Sequence, residues 1–193
     1  SAASDAYKRQ RRTVHRFTEQ PVSDEHLTLA LEAANQAPCH KHTHPWRFYV
    51  MGTETREKLT PTVAELAKKK SRKTDPKDVE NDVKRAVAKM MSPPVMVAIT
   101  SKRNPTDGFR EKEDYAATVC ALHNMVLSFW GNGVAAKWST GAITRHSETY
   151  AHLKMDATAE EIIGFVKAGY PETIPEVRNC LLYTSPSPRD SCA

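Results

Sequence analysis

The sequence predicts a mixed α/β architecture, with helices packed on a central sheet. Three observations carry this. Short apolar runs of strand character recur at Trp46–Met51, Val95–Thr100 and Glu161–Ala168. The stretches between them place apolar residues at helical spacing, in some intervals twice. The length of 193 residues, 39% of them hydrophobic, suits one domain with its own core, and no internal repeat divides it. Residues 1–179 read as that domain. The final stretch 180–193, C-L-L-Y-T-S-P-S-P-R-D-S-C-A, breaks the composition and reads as a non-native or disordered tail, so Cys180 and Cys192 receive no role.

The elements follow in order. Arg9–Phe17 is basic and then apolar, and Pro21 stops it. Ser23 is a natural N-cap, with Asp24 and Glu25 at the positive end of a helix whose apolar positions are Leu27, Ala30, Leu31 and Ala34. That helix must end before Pro38. Over Trp46–Met51, the alternation of Trp46, Phe48 and Val50 with Arg47, Tyr49 and Met51 predicts a strand with one buried face. A helix from Gly52–Thr53 carries Leu59, Val63, Leu66 and Ala67, and Pro61 should kink or divide it. Asp75-Pro76 opens another helix with the stripe Val79, Val83, Ala86, Val87 and Met90, closed by Ser92-Pro93-Pro94. Val95–Thr100 is apolar throughout and reads as a strand covered on both faces. After a polar loop over Ser101–Phe109, a long helix over Glu111–Phe129 should bury Tyr115, Val119, Leu122 and Val126 and end at Gly131-Asn132-Gly133. Val134–Trp138 leads to the turn Ser139-Thr140-Gly141. A short helix over His146–Leu153 and a strand over Glu161–Ala168 complete the chain.

The formal charge of +5 has a local origin. Lys68, Lys69, Lys70, Arg72 and Lys73 supply five of the 28 basic residues, and without them 23 basic face 23 acidic residues. A duplex-binding surface spreads its cations over a face or groove, so this run reads as a solvated connector and no nucleic-acid partner is expected. No run of 18 apolar residues is present, so no membrane span is expected. The four cysteines form no C-x-x-C pair, which fits a reduced, cytoplasmic setting.

Three polar segments could carry chemistry. Arg11, Arg12 and Thr13, followed by His15 and Arg16, gather guanidinium forks and a hydroxyl suited to phosphate oxygens; an exposed basic arm is the plainer alternative. In A-P-C-H-K-H-T-H-P-W, Ala37–Trp46, the alternate residues His40, His42 and His44 would share one side of an extended segment. That pattern allows metal binding, but no second cluster completes a ligand set, and lining of a ligand pocket is the better reading. Cys39 beside them is either a nucleophile or an inert thiol. Trp138-Ser139-Thr140-Gly141 suits close backbone approach to a ligand, or is an ordinary turn. Nucleoside-triphosphate and dinucleotide glycine loops are absent, as is G-x-S-x-G.

Taken together and in order, R-R-T-V-H-R-F at Arg11–Phe17, the Ala37–Phe48 segment, the long helix ending G-N-G, W-S-T-G-A-I-T at Trp138–Thr144 and I-I-G-F-V-K-A-G-Y-P at Ile162–Pro171 resemble the FMN-dependent nitroreductase family. The likeness is to its short members, which keep A-P-x-H-K before the Pro-Trp pair. The resemblance implies an α+β, three-layer αβα fold with a central mixed, mainly antiparallel sheet. It also implies a homodimer with FMN at the interface. Arg11, Arg12 and Thr13 would hold the flavin phosphate and ribityl chain, Thr13 standing where Ser is usual and His15 where a further Arg is usual. The segment with His40 and His44 would approach FMN from the partner subunit. Cys39, His42 and His44 replace the usual Ser, Asn and Gln of this segment. Trp138, Ser139, Thr140 and Gly141 would contact the flavin, and Gly131, Asn132 and Gly133 would lie near the nicotinamide donor. The implied activity is NAD(P)H oxidation through FMN with reduction of a small acceptor such as a nitroaromatic or quinone, with no protein residue as catalytic acid or base and no metal. The alternative is a non-catalytic flavin- or metal-binding protein using His40, His42 and His44.

Overall fold

The computed structural model describes residues 10–176. The tail inferred at 180–193 lies outside the described residues. Helix α1 (Asp24–Asn35) begins where Ser23 Oγ accepts from the backbone N–H of His26 at 3.2 Å. Strand β1 (Trp46–Val50) follows a single 3-10 turn at His40–His42. Helices α2 (Thr53–Lys70) and α3 (Pro76–Met91) pair with each other before β2 (Val95–Lys102). Helix α4 (Gly108–Gly131) then leads to β3 (Ala135–Ser139), the short α5 (Ser147–His152) and β4 (Glu160–Gly169).

The four strands form one antiparallel sheet in the order β1-β2-β4-β3, so β1 and β3 are its two edges. The parallel element found among the described residues is an isolated bridge from Thr13 to Ala136. Two helical layers enclose the sheet, giving the three-layer α+β arrangement. The alternation along β2 shows why: Val95, Val97 and Ile99 face α1 and α4, while Met96 and Ala98 face α2, α3 and α5. Burial on both sides is what its unbroken apolar sequence requires.

Several local expectations change. Helix α2 passes through Pro61 without a break, because proline deletes only one donor there and the remaining ladder continues to Lys70. Val50 is exposed and Met51 buried, since β1 ends at Val50 and the chain turns into α2, tucking Met51 into the second core. Tyr115 is exposed. The buried face of α4 runs through Asp114, Ala117, Thr118, Ala121, Leu122 and Met125, one residue out of step with the expected stripe over its first turns. Asp107 caps that helix earlier than expected, its carboxylate accepting from Arg110 N–H at 3.0 Å.

Candidate functional site

The N-terminal basic segment is laid against the β3 edge. Thr13 bridges Ala136, Val14 is buried, Phe17 bridges Pro171, and Thr18 N–H donates to Tyr170 O at 2.8 Å. This fixes Arg11, Arg12 and Thr13 beside the start of β3. Arg12 Nη1 donates to the Arg11 carbonyl at 2.8 Å, and the charge of Arg11 adds to burial in lowering the pKa of His123 on α4.

The other end of β3 carries the turn. Trp138 is half-exposed, and its indole Nε1 donates to Ile163 O at 3.3 Å. Ile163 is the extra residue of a bulge in β4, opposite the step from Ile99 to Thr100 in β2. The indole lies over Gly164, where any Cβ would meet it. Gly141 holds φ 157° and ψ −176°, a backbone state that disfavours side chains, and a Cβ there would meet nothing within 4 Å. The turn therefore offers open space against bare backbone. Arg11–Thr13 and Trp138–Gly141 thus lie along one edge of the sheet, at opposite ends of β3.

A cavity of about 980 Å³ opens beside this edge, beneath α2 and α3, with Ser139 and Thr140 among its lining residues. Lys137 and Lys167 rise into it from β3 and β4, and α3 contributes Arg85 and Lys89. Lys69 and Lys70, in the last turn of α2, and Arg72 and Lys73 beyond it complete eight cations, against one carboxylate, Asp82. The lysine run is solvent-exposed as expected, and from Lys69 to Lys73 it also borders the cavity. Lys167 is the most perturbed of these cations: burial, then Lys137, Lys89 and Arg56, pull its pKa down to about 8. Its Nζ donates to Lys89 O at 2.6 Å. Lys137 Nζ sits 3.1 Å from His15 Nδ1, and an ammonium can only donate, so His15 Nδ1 accepts. Burial, then the charges of Lys137 and Lys89, lower the His15 pKa and favour its neutral form. Lys89, Lys137 and Lys167 were not singled out from sequence. The available signal was a lone lysine inside an otherwise apolar strand, A-A-K-W for Lys137 and F-V-K-A for Lys167.

The histidine segment lies elsewhere. It precedes β1, on the opposite edge of the sheet from β3, so one chain does not bring His40 or His44 to Arg11 and Trp138. Nor is the segment extended: Lys41, His42 and His44 all have positive φ, between 41° and 53°, so the alternate-residue geometry of a strand does not apply. His40 Nδ1 is 3.0 Å from Glu113 Oε1, and its carbonyl accepts from Arg110 Nη2 at 3.1 Å. Thr43 Oγ1 donates to the buried Asp114 carboxylate at 2.8 Å, tying the turn to α4. His44 packs edge-on against Trp46 at 5.6 Å, with Nδ1 3.9 Å from Cys39 Sγ. Among the described residues, no three His, Cys, Asp or Glu side chains converge as a metal site. Gly131, Asn132 and Gly133 lie at the start of β3, the end away from Ser139–Gly141, and do not line the cavity.

The sequence pattern of the Nitroreductase family matches residues 9–170. The chain is similar to YfhC of Bacillus subtilis (strain 168), which is named as an NAD(P)H nitroreductase: the two are 28% identical over 171 residues, 88% of this chain and 85% of YfhC. Among solved structures, it resembles a nitroreductase-like family protein from Bacillus cereus, with a TM-score of 0.77 and 24% identity over 92% of this chain and 90% of that one. A Desulfovibrio desulfuricans protein described as a nitroreductase and solved in complex with FMN superposes with a TM-score of 0.72 and 22% identity, covering 93% of this chain and 92% of that one. At these identities the two structures speak for the fold.

Proposed function

The chain belongs to the nitroreductase family, and from that premise we propose that it is an FMN-dependent NAD(P)H oxidoreductase that reduces a small acceptor such as a nitroaromatic or quinone. Membership supports an oxidoreductase in general terms. The observation that supports the finer reading is the alignment of Arg11–Thr13 and Trp138–Gly141 along the β3 edge, with Ser139 and Thr140 of the turn lining a cavity dominated by cations.

The residues present fit FMN. Arg11 and Arg12 supply guanidinium groups, and Thr13 a hydroxyl, for phosphate oxygens. The open backbone at Gly141 and the half-exposed Trp138 give a flat ligand a surface to approach. Lys89, Lys137 and Lys167 surround the adjoining space with positive charge, which favours an anionic form of whatever binds there. FMN, when bound, would supply the redox chemistry, a two-electron transfer between the nicotinamide donor and the acceptor. The chain's own part is placement, charge and exclusion of water, and no side chain is assigned a proton in the reaction.

A homodimer belongs to the same proposal. His40 and His44 sit on the edge opposite the candidate flavin site, so a second copy is the natural way for that segment to reach it. A non-catalytic metal-binding reading draws no support from the geometry, because His40 turns to Glu113 and the His42 and His44 rings stand 6.2 Å apart and tilted.

The test is the absorbance spectrum of the purified protein, supplied with FMN and followed anaerobically on adding NADH or NADPH. The expected result is a bound flavin spectrum that bleaches with the donor and recovers with a nitroaromatic or quinone. A protein that retains no flavin overturns the proposal.

A further inference from the structure

The basic rim of the cavity remains unexplained by the flavin site. We propose that Lys70 and Arg72 bind the 2′-phosphate of the nicotinamide donor, so that this protein takes its electrons from NADPH in preference to NADH. The inference rests on the oxidoreductase reading above and adds the donor's identity to it.

The first support is continuity. One cavity of about 980 Å³ is lined both by Ser139 and Thr140, at the candidate flavin turn, and by Lys70 and Arg72. That volume is at the upper end of what small-molecule sites use, which leaves room for a ligand beside a mononucleotide.

The second is charge accounting. Asp82 Oδ1 takes up Lys73 at 3.1 Å and Arg85 at 3.7 Å, and Lys69 pairs with Glu65. Among the described residues, Lys70 and Arg72 have no carboxylate partner. Ser71 Oγ donates to Asp82 Oδ2 at 2.9 Å, which anchors the connector between them. Two exposed cations therefore flank an anchored residue at the cavity, without a carboxylate partner among the described residues. Lys89, Lys137 and Lys167, which line the same cavity from α3, β3 and β4, are separate in sequence from this pair.

The third is chemical fit. A phosphate monoester carries nearly two negative charges and three acceptor oxygens near neutral pH. An arginine fork and a lysine ammonium suit it. NADH presents a hydroxyl at the same position, which neither cation needs. The pyrophosphate is common to both donors, so only the 2′-position lets Lys70 and Arg72 discriminate.

The experiment compares the FMN-loaded protein with K70A/R72A and with the conservative K70R/R72K. Wild type should use NADPH with a kcat/KM at least about tenfold above NADH, since one charge-assisted hydrogen bond is worth roughly that factor. K70A/R72A should lose at least about tenfold with NADPH, through KM, and stay within about twofold with NADH; K70R/R72K should keep the preference. Independently of turnover, calorimetry should show adenosine 2′,5′-bisphosphate binding wild type more tightly than AMP, with the difference lost in K70A/R72A and the flavin content unchanged. Equal use of the two donors by wild type, or an equal fall with both in the variant, overturns the inference. A protein that binds no FMN instead defeats the oxidoreductase reading, and the bisphosphate titration then still decides whether the rim recognises a 2′-phosphate.

Discussion

The indole of Trp138 lies across Gly164 so closely that a Cβ on residue 164 would stand 2.6 Å from the indole Cδ1 and 3.2 Å from Ser139 O. Glycine is required there by the neighbour's packing and not by its own backbone. Gly164→Ala should therefore turn Trp138 outward, break its hydrogen bond to Ile163 O, and cost about 1–3 kcal/mol as overpacking does. Tryptophan fluorescence should shift to the red and FMN affinity should fall. An unchanged emission spectrum would show that the indole is not held as described.

Arg11 and Arg12 are fixed beside β3 by the Thr13–Ala136 bridge, while Val14 beneath them carries the packing. Replacing both arginines with alanine should leave the melting temperature nearly unchanged and weaken FMN about 10- to 100-fold, the range of one or two charge-assisted hydrogen bonds. Titration of FMN fluorescence measures this. Equal flavin affinity in the variant would remove the phosphate role.

Lys167 faces Lys137, Lys89 and Arg56, with His15 beyond Lys137, and its pKa falls to about 8. A base with a lowered folded pKa binds fewer protons folded than unfolded between that value and the ordinary lysine range. Stability of the ligand-free protein should accordingly rise with pH from about 8 towards 10, by on the order of 1–3 kcal/mol, and Lys167→Met should flatten the rise. An anion in the cavity reverses the preference by favouring the charged amine, so inorganic pyrophosphate should bind more weakly as pH climbs through about 8. Urea unfolding and calorimetry across that window check both signs.

Glu160 is buried where β1, β2 and β4 meet. Its carboxylate accepts from Thr100 Oγ1 and from Tyr49 OH at 2.7 Å, with Arg47 Nη1 at 3.4 Å. Glu160→Ala strands the fully buried Thr100 hydroxyl and should cost about 2–4 kcal/mol, whereas Tyr49→Phe removes a single donor and should cost about 1. Chemical denaturation distinguishes the two, and equal costs would show that the carboxylate is not the centre of the network.

The elements were legible because their signals are local: Ser23 and Asp75 cap their helices, and the unbroken run of β2 reports burial on both faces. Arg11–Thr13 and Trp138–Gly141 could be named from residue chemistry, but their alignment along one edge depends on the long-range bridge from Thr13 to Ala136, which no short motif encodes. The left-handed residues at Lys41, His42 and His44 were missed because nothing in H-K-H-T-H breaks an extended pattern, and contacts with α4 decide the turn. The cavity escaped notice for a related reason. Its cations come from four separate elements and a connector, so each reads alone as surface charge.

The N-terminal segment flanks β3 through the Thr13–Ala136 bridge, whereas β1 has a strand on one side only among the described residues and carries a cation, Arg47. A second copy pairing β1 against β1 would have to bring two such arginines together without water. Such placement deters the edge-to-edge pairing that leads to aggregation. Arg47 would then have two duties, donating to the buried Glu160 and guarding the β1 edge, and its replacement by an apolar residue would expose the chain to self-association during folding even where the native structure tolerates the change.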